Sequence, residues 1–245
     1  MKKALNVLMA LLLIMGLTWT PTIIVPSAQA VIEPELEETV LEIIRQHPEV
    51  LIESVQAYQK QQQEQQQQAR QSFASQLKSK PQTIIADSPS TGSLSEKIIL
   101  LEFSDFQCPY CEKAYETVKE FMDKHGDEVT LVYKHFPLFT IHPQALPAAK
   151  ASWAAQQQGK FWDYYDALFE QQDNLGEDFY IELAEDLDLD MEQFERDRNS
   201  RNADLAIEKD MELAQEIGIQ GTPLFIFNGQ VFSGAIPLST LEEAL

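Results

Sequence analysis

Phe103-Ser104-Asp105-Phe106-Gln107-Cys108-Pro109-Tyr110-Cys111 is the stretch that decides how this chain is read. Cys108 and Cys111 are its only two cysteines. A β-like run, Ile98-Ile99-Leu100-Leu101-Glu102-Phe103, leads into them and a helix-like run follows. In a strand–turn–helix unit of this kind the first cysteine falls at the helix N-terminus, where unpaired N–H groups and the positive end of the macrodipole stabilise a thiolate. Cys108 is therefore the candidate nucleophile. Cys111, one helical turn further on, can attack a mixed disulfide formed at Cys108 and release the partner. Pro109 suits the first turn, since the N–H it lacks would have had no intrahelical acceptor there.

Two other uses of the pair are weaker. As a structural staple it closes so short a loop that the chain-entropy gain is only about 2 kcal/mol, against about 4–5 for a crosslink spanning a domain. As a zinc site it needs two further ligands, and His47, His125, His135 and His142 form no second close pair. The pattern points to thiol redox chemistry, with no metal and no cofactor required.

Three segments carry a family resemblance: Glu102 to Cys111, His135-Phe136-Pro137-Leu138, and Gly221-Thr222-Pro223. In this order they resemble the thioredoxin-fold, DsbA-like thiol–disulfide oxidoreductases, and the match runs from about Ser88 to the C-terminus. The resemblance implies dithiol–disulfide exchange on proteins of the bacterial cell envelope, and reoxidation by a quinone-linked membrane thiol oxidoreductase. It also implies an acidic residue, here Glu102, buried beneath the site as a proton acceptor, although a single Glu in a strand more often faces solvent. Pro223 is implied to be cis and to pack against the cysteine pair. Thr222, just before it, adjoins the sulfurs, where a hydroxyl can tune their redox potential. Pro109 and Tyr110 complete the CPYC motif as active-site support.

Lys2-Lys3, the apolar run Ala4 to Leu17 and the A-x-A signal Ala28-Gln29-Ala30 make residues 1–30 a signal peptide, with the mature chain starting at Val31. The protein is then exported to the periplasm or cell envelope, and membrane-tethered if the signal is not cleaved. An oxidising compartment is where a thiol pair can donate disulfides. The formal charge is −21 and becomes −23 once residues 1–30, with two lysines and no acid, are removed. Such acidity argues against nucleic-acid or anionic-membrane binding.

Between Glu33 and Tyr58, Leu36, Val40, Ile43, Ile44, Leu51, Val55 and Tyr58 recur at helical spacing, interrupted by Pro48. The expectation is a short helix ending near Gln46 or His47 and a second one starting at Pro48. The glutamine-rich tract Lys60 to Gln71 either prolongs the second helix as a stalk toward Leu77 or is a solvated linker. Some DsbA-like relatives associate through an N-terminal helical extension, so residues 33–77 are a candidate for homo-oligomerisation. Residues 81–96, rich in Pro, Ser, Thr, Asp and Gly, read as a boundary loop, with the catalytic domain beginning at 97.

Tyr110 to Lys124 reads as a helix stopped at Gly126, and Val129 to Phe136 as the next strand, which together make a βαβ unit with parallel strands. From about 143 to 203 the chain is helical, an insertion too large for a minimal thioredoxin fold. Its Trp153, Trp162 and Phe169 are expected in the core. Asn228-Gly229 between two apolar runs signals a type I′ hairpin.

These readings give an α/β, thioredoxin-like fold with an inserted α-helical subdomain (about 143–203), an N-terminal helical extension (31–80), a linker (81–96) and a catalytic domain (97–245). The expected function is an exported oxidoreductase that introduces disulfides at Cys108 and Cys111. A disulfide isomerase or reductase working as an oligomer is one alternative. A non-enzymatic envelope chaperone or metal-binding protein is another.

Overall fold

The computed structural model describes residues 34–245 apart from 94 and 96. The expected signal peptide lies outside the described residues. Among the described residues the chain divides into two units, one ending at Val55 and the other running from Gln56 to Leu245.

Within the first unit, α1 (Pro34–Gln46) and the opening turns of α2 (Pro48–Ser79) are separated at His47, the residue before proline. Leu36, Val40, Leu41, Ile43, Val50, Leu51, Ile52 and Val55 are all exposed.

In the second unit the glutamine-rich tract is helix, not solvated linker. Its end is held by residues that carry no low-complexity signal. Phe73 and Leu77 are buried with Ile99, Leu101 and Ile226. Arg70 donates from Nε to the Ile217 carbonyl and from Nη2 to the Gly218 carbonyl, both at 3.0 Å. Those carbonyls close a helix C-terminus and would otherwise lack a donor. Gly218 has φ +71, which strains any residue with a side chain, and a Cβ there would lie 2.9 Å from the Gln66 side chain and displace it.

A five-stranded sheet follows, in the order β1-β3-β2-β4-β5. Its strands are β1 (Ser90–Gly92), β2 (Ile98–Ser104), β3 (Val129–His135), β4 (Leu224–Phe227) and β5 (Gln230–Ser233). β2 and β3 are parallel, from Ile98 opposite Val129 to Ser104 opposite His135, and the other pairings are antiparallel. α3 (Pro81–Ile85) and β1 correct the reading of 81–96 as a linker: Ile84 and Ile85 are buried, and Ser90 pairs with Val132. β1 has no apolar alternation, so only its pairing with β3 defines it. The catalytic unit correspondingly begins well before 97.

α4 (Pro109–His125) joins β2 to β3. It ends at Gly126 as expected, but with φ −66 and not in a left-handed cap. The helical block comprises α5 (Ala145–Gln156), α6 (Phe161–Glu170), a 3₁₀ turn (Gln172–Asn174), α7 (Glu177–Asp186), α8 (Met191–Arg198) and α9 (Arg201–Glu216). An insertion ending near 203 therefore stops too early by secondary structure. By packing, however, α9 belongs to the sheet layer, since Ala214 and Ile217 join Leu101 and Phe103. Phe169 is fully buried, whereas Trp153 and Trp162 are half-buried. The β4–β5 turn has Asn228 at φ +47 and Gly229 at φ +78, as a type I′ turn requires. α10 (Leu238–Ala244) closes the chain with Leu241 fully buried.

β2 is central and buried on both faces, so its two apolar sets serve two cores. Ile99, Leu101 and Phe103 pack toward α2, α3 and α9. Leu100 packs with Ala114, Val118 and Phe121 of α4. By the same two-residue period Glu102 shares the face of Leu100, toward α4 and α6.

Candidate active site

Cys108 is the N-cap of α4 (φ −76, ψ 122), and Pro109 takes the first helical position. The Cys108 N–H donates to the Asp105 carbonyl at 3.1 Å. Its own carbonyl accepts from Cys111 (2.9 Å) and Glu112 (3.1 Å). Both cysteines are buried free thiols, Cys108 4% and Cys111 0% exposed, so Cys108 is the nearer of the two to the surface.

Thr222 and Pro223 arrive at the head of β4, joined by a cis peptide bond. The Cys108 thiol donates to the Thr222 carbonyl at 3.5 Å. The Thr222 hydroxyl is buried without a hydrogen bond of ordinary geometry, yet it lies close enough to favour the ionised form of both sulfurs. A hydrogen bond from Cys111, together with the Thr222 hydroxyl and the N–H groups of Cys111 and Tyr110, outweighs burial and brings the Cys108 pKa down to about 5. Cys111 moves the other way, pushed well up by burial and by the neighbouring Cys108. The two thiols are thus strongly unequal.

Glu102 is fully buried and its carboxyl is pushed up to about 7 by desolvation. The Tyr165 hydroxyl donates to Oε2 at 3.2 Å and partly opposes that rise, while Oε1 has no partner among the described residues. Ser104 stands close to Glu102, Cys111 and Tyr133 and favours the ionised form of each, without a hydrogen bond of ordinary geometry. Phe106, Tyr133, Tyr165 and Phe169 enclose this side in ring contacts of 5.0–6.0 Å.

The structure therefore brings Cys108, Cys111 and Thr222 together, with Pro109 following Cys108, Pro223 following Thr222, and Glu102 beside Ser104, which also stands close to Cys111. Tyr110 is the exception: its ring is 60% exposed and pairs with Lys113, whose Nζ is 5.6 Å from the ring centre. Only its backbone N–H serves the sulfur.

Several further residues surround the site, and Gln172, Tyr115, Lys119 and Glu170 among them carry no signal in sequence. Asp105 accepts from the Gln107 N–H (2.8 Å) and the Leu138 N–H (2.9 Å), and its Oδ2 lies 2.7 Å from His142 Nδ1. Gln172, in the 3₁₀ turn, donates from Nε2 to the carbonyls of Phe106 (2.8 Å) and Cys108 (3.1 Å). Tyr115 and Lys119 on α4 both bond Glu170 at the end of α6, each at 2.9 Å. His135 is buried with both ring nitrogens unpartnered among the described residues, and burial depresses its pKa to about 3, so it stays neutral. Among the described residues no group of three or more His, Cys, Asp or Glu side chains is arranged to hold a metal ion.

A family model for the DSBA-like thioredoxin domain matches residues 99–245. Among solved structures, a thioredoxin-like oxidoreductase from Silicibacter pomeroyi DSS-3 is 30% identical, with a TM-score of 0.61, covering 66% of this chain and 94% of that one. The thiol-disulfide exchange protein alpha-DsbA2 from Wolbachia pipientis is 21% identical, with a TM-score of 0.62, covering 71% of this chain and 92% of that one. Proteus mirabilis ScsC in a transitional conformation is 22% identical, with a TM-score of 0.60 and coverage of 86% and 93%. These last two share the fold. A curated relative of another name, the Na(+)/H(+) antiporter NhaA 3 of Salinispora tropica, is 34% identical over 154 residues, which is 63% of this chain and 24% of the antiporter. The chain spans about a quarter of the length of the curated relatives it matches. No helix among the described residues here is long and apolar enough to cross a membrane.

Proposed function

The chain belongs to the DSBA-like thioredoxin-domain family of thiol–disulfide oxidoreductases, and from that premise we propose that it introduces disulfides into exported envelope proteins through Cys108 and Cys111. A substrate thiolate attacks Cys108 Sγ of the oxidised pair; a mixed disulfide forms and the Cys108–Cys111 bond breaks, leaving Cys111 as a thiolate. Cys111, whose burial disfavours that charge, takes up a proton, and Glu102 is the buried acid beside Ser104, which also stands close to Cys111. The substrate's second thiolate then attacks its own sulfur in the mixed disulfide. Cys108 departs as a thiolate and the chain is left reduced by two electrons.

The observation that carries this direction is the inequality of the two thiols. A Cys108 thiol held down to about 5 is the better leaving group and stabilises the reduced form, which drives disulfides onto substrates. Reoxidation falls to a quinone-linked membrane thiol oxidoreductase, and an envelope location follows from the signal-like residues 1–30. Equilibration with glutathione buffers tests the reading: a reduction potential near about −120 mV supports it, and one near about −270 mV reverses the electron flow.

A second reading, an isomerase or reductase acting as an oligomer, is favoured by one observation, the exposed apolar residues of α1 and early α2. Leu36, Val40, Ile43, Leu51 and Val55 on helical faces form a surface suited to another copy of the same helices. Sedimentation of the mature chain as a monomer at micromolar concentration would remove this reading.

A further inference from the structure

The turn that carries Cys108 is held by more than its own helix. Three successive peptides are tied. The Phe106–Gln107 peptide is fixed at both ends, its carbonyl accepting from Gln172 Nε2 at 2.8 Å and its N–H donating to Asp105 Oδ1 at 2.8 Å. The Gln107–Cys108 peptide is fixed by the Cys108 N–H on the Asp105 carbonyl at 3.1 Å. The Cys108–Pro109 peptide has no N–H, so its carbonyl is its only handle. That carbonyl accepts from Gln172 at 3.1 Å as well as from the helix.

Gln172 is remote in sequence from this turn, and the rest of its neighbourhood also touches the site. It follows α6, which supplies Tyr165 to Glu102 and Glu170 to Tyr115 and Lys119. One side-chain amide therefore links the helical insertion to the two carbonyls that bracket the reactive residue.

We infer that Gln172 is a positioning residue for the Cys108 sulfur: its amide holds the Phe106 carbonyl directed at itself, and so keeps its negative end from turning toward the thiolate, while adding a further donor to the Cys108 carbonyl that the Cys111 and Glu112 N–H groups already hold. The reason is electrostatic. A carbonyl oxygen brought near a thiolate opposes its charge, whereas N–H groups facing it support that charge. A peptide with a free carbonyl can rotate between these two arrangements; one held at both ends cannot. The inference rests on the reading of Cys108 as the nucleophile, and gives the insertion a part in setting its reactivity.

The test titrates the Cys108 thiolate of the reduced full chain by its ultraviolet absorbance, with alkylation to assign the residue, in wild type and in Gln172→Met. Methionine keeps the length and apolar stem of glutamine but has no donor. The expected result is a Cys108 midpoint raised by about one unit, seen as a roughly tenfold slower alkylation at a pH below both midpoints. Should Gln172→Met not fold, Gln172→Ser, which is small, polar and too short to reach either carbonyl, is read in the same way. An unchanged midpoint overturns the inference, whatever the thermal melting temperature does, because a merely structural role moves melting alone. Wild-type Cys108 that ionises only at the ordinary thiol pH overturns the proposed function together with the inference. A low wild-type midpoint shared by the variant overturns only the inference.

Discussion

The Tyr165 hydroxyl donates to Glu102 Oε2 across 3.2 Å, so a residue of the helical insertion reaches a buried carboxylate of the central strand. That contact lies inside an aromatic cluster, where a charge is poorly solvated. The carboxyl is accordingly pushed up to about 7.

This shift makes Glu102 a pH-dependent liability. A folded-state pKa raised above the ordinary carboxylate value gives a contribution that is full below that value and lost as pH rises through 7. Glu102→Gln, which resembles the protonated form, is expected to match wild type below pH ~4 and to exceed it above pH ~8 by on the order of 3 kcal/mol. Denaturant melts at both extremes check this; a difference independent of pH would show that ionisation of Glu102 plays no part.

The two cysteines are expected to fail differently. Cys108→Ser removes the less buried of the two thiols, the one substrate is proposed to reach, and abolishes exchange. Cys111→Ser keeps Cys108, whose thiolate can still attack a disulfide and form a mixed disulfide, but removes the thiol that attacks that mixed disulfide in return and expels the partner, so covalent adducts with substrate should accumulate. Non-reducing electrophoresis of both variants separates the outcomes, and retained turnover in Cys108→Ser would sink the mechanism.

The depressed Cys108 pKa fixes a break in the pH dependence of the reduction potential. Its contribution to the reduced state is present above the ordinary thiol value and is lost as pH falls through about 5. Below that pH reduction takes up two protons, and above it one, so the potential should fall by about 59 mV per pH unit below the break and about 30 mV above it. A single uninterrupted slope of about 59 mV through neutral pH would mean that Cys108 is an ordinary thiol.

Thr222→Val retains the shape of the side chain and removes the hydroxyl that favours ionisation of both sulfurs. Cys108 should titrate higher and react several-fold more slowly with iodoacetamide at mildly acidic pH. Unchanged rates would assign the hydroxyl no influence on the sulfurs.

The docking of α2 predicts where the catalytic unit can be cut. A chain starting at Gln56 keeps Phe73 and Leu77 in the core, whereas one starting at Lys97 loses both, along with Arg70 and β1. The shorter chain should be less stable by about 3–6 kcal/mol from the two apolar side chains alone. Equal unfolding midpoints would place those contacts outside the energetics of the fold.

Local chemistry in the sequence by itself determined the placing of the cysteine pair at the start of a helix, the parallel βαβ unit around α4, the break at Pro48 and the hairpin at Asn228-Gly229. Each depends on neighbours a few residues apart: a proline without an N–H, a turn requiring positive φ, a helix terminus with free donors. Tertiary structure decided what those rules do not reach. Glu102 is buried because α6 covers it 63 residues later in the chain, and Phe106 finds its Gln172 donor across 66 residues. The glutamine-rich tract becomes a docked helix because Arg70 meets Ile217 across 147 residues, and Ser90 to Gly92 become a strand because β3 offers an unpaired edge. Propensity and periodicity describe a segment alone, whereas burial, carbonyl orientation and thiol ionisation are set by whatever the folded chain brings against it.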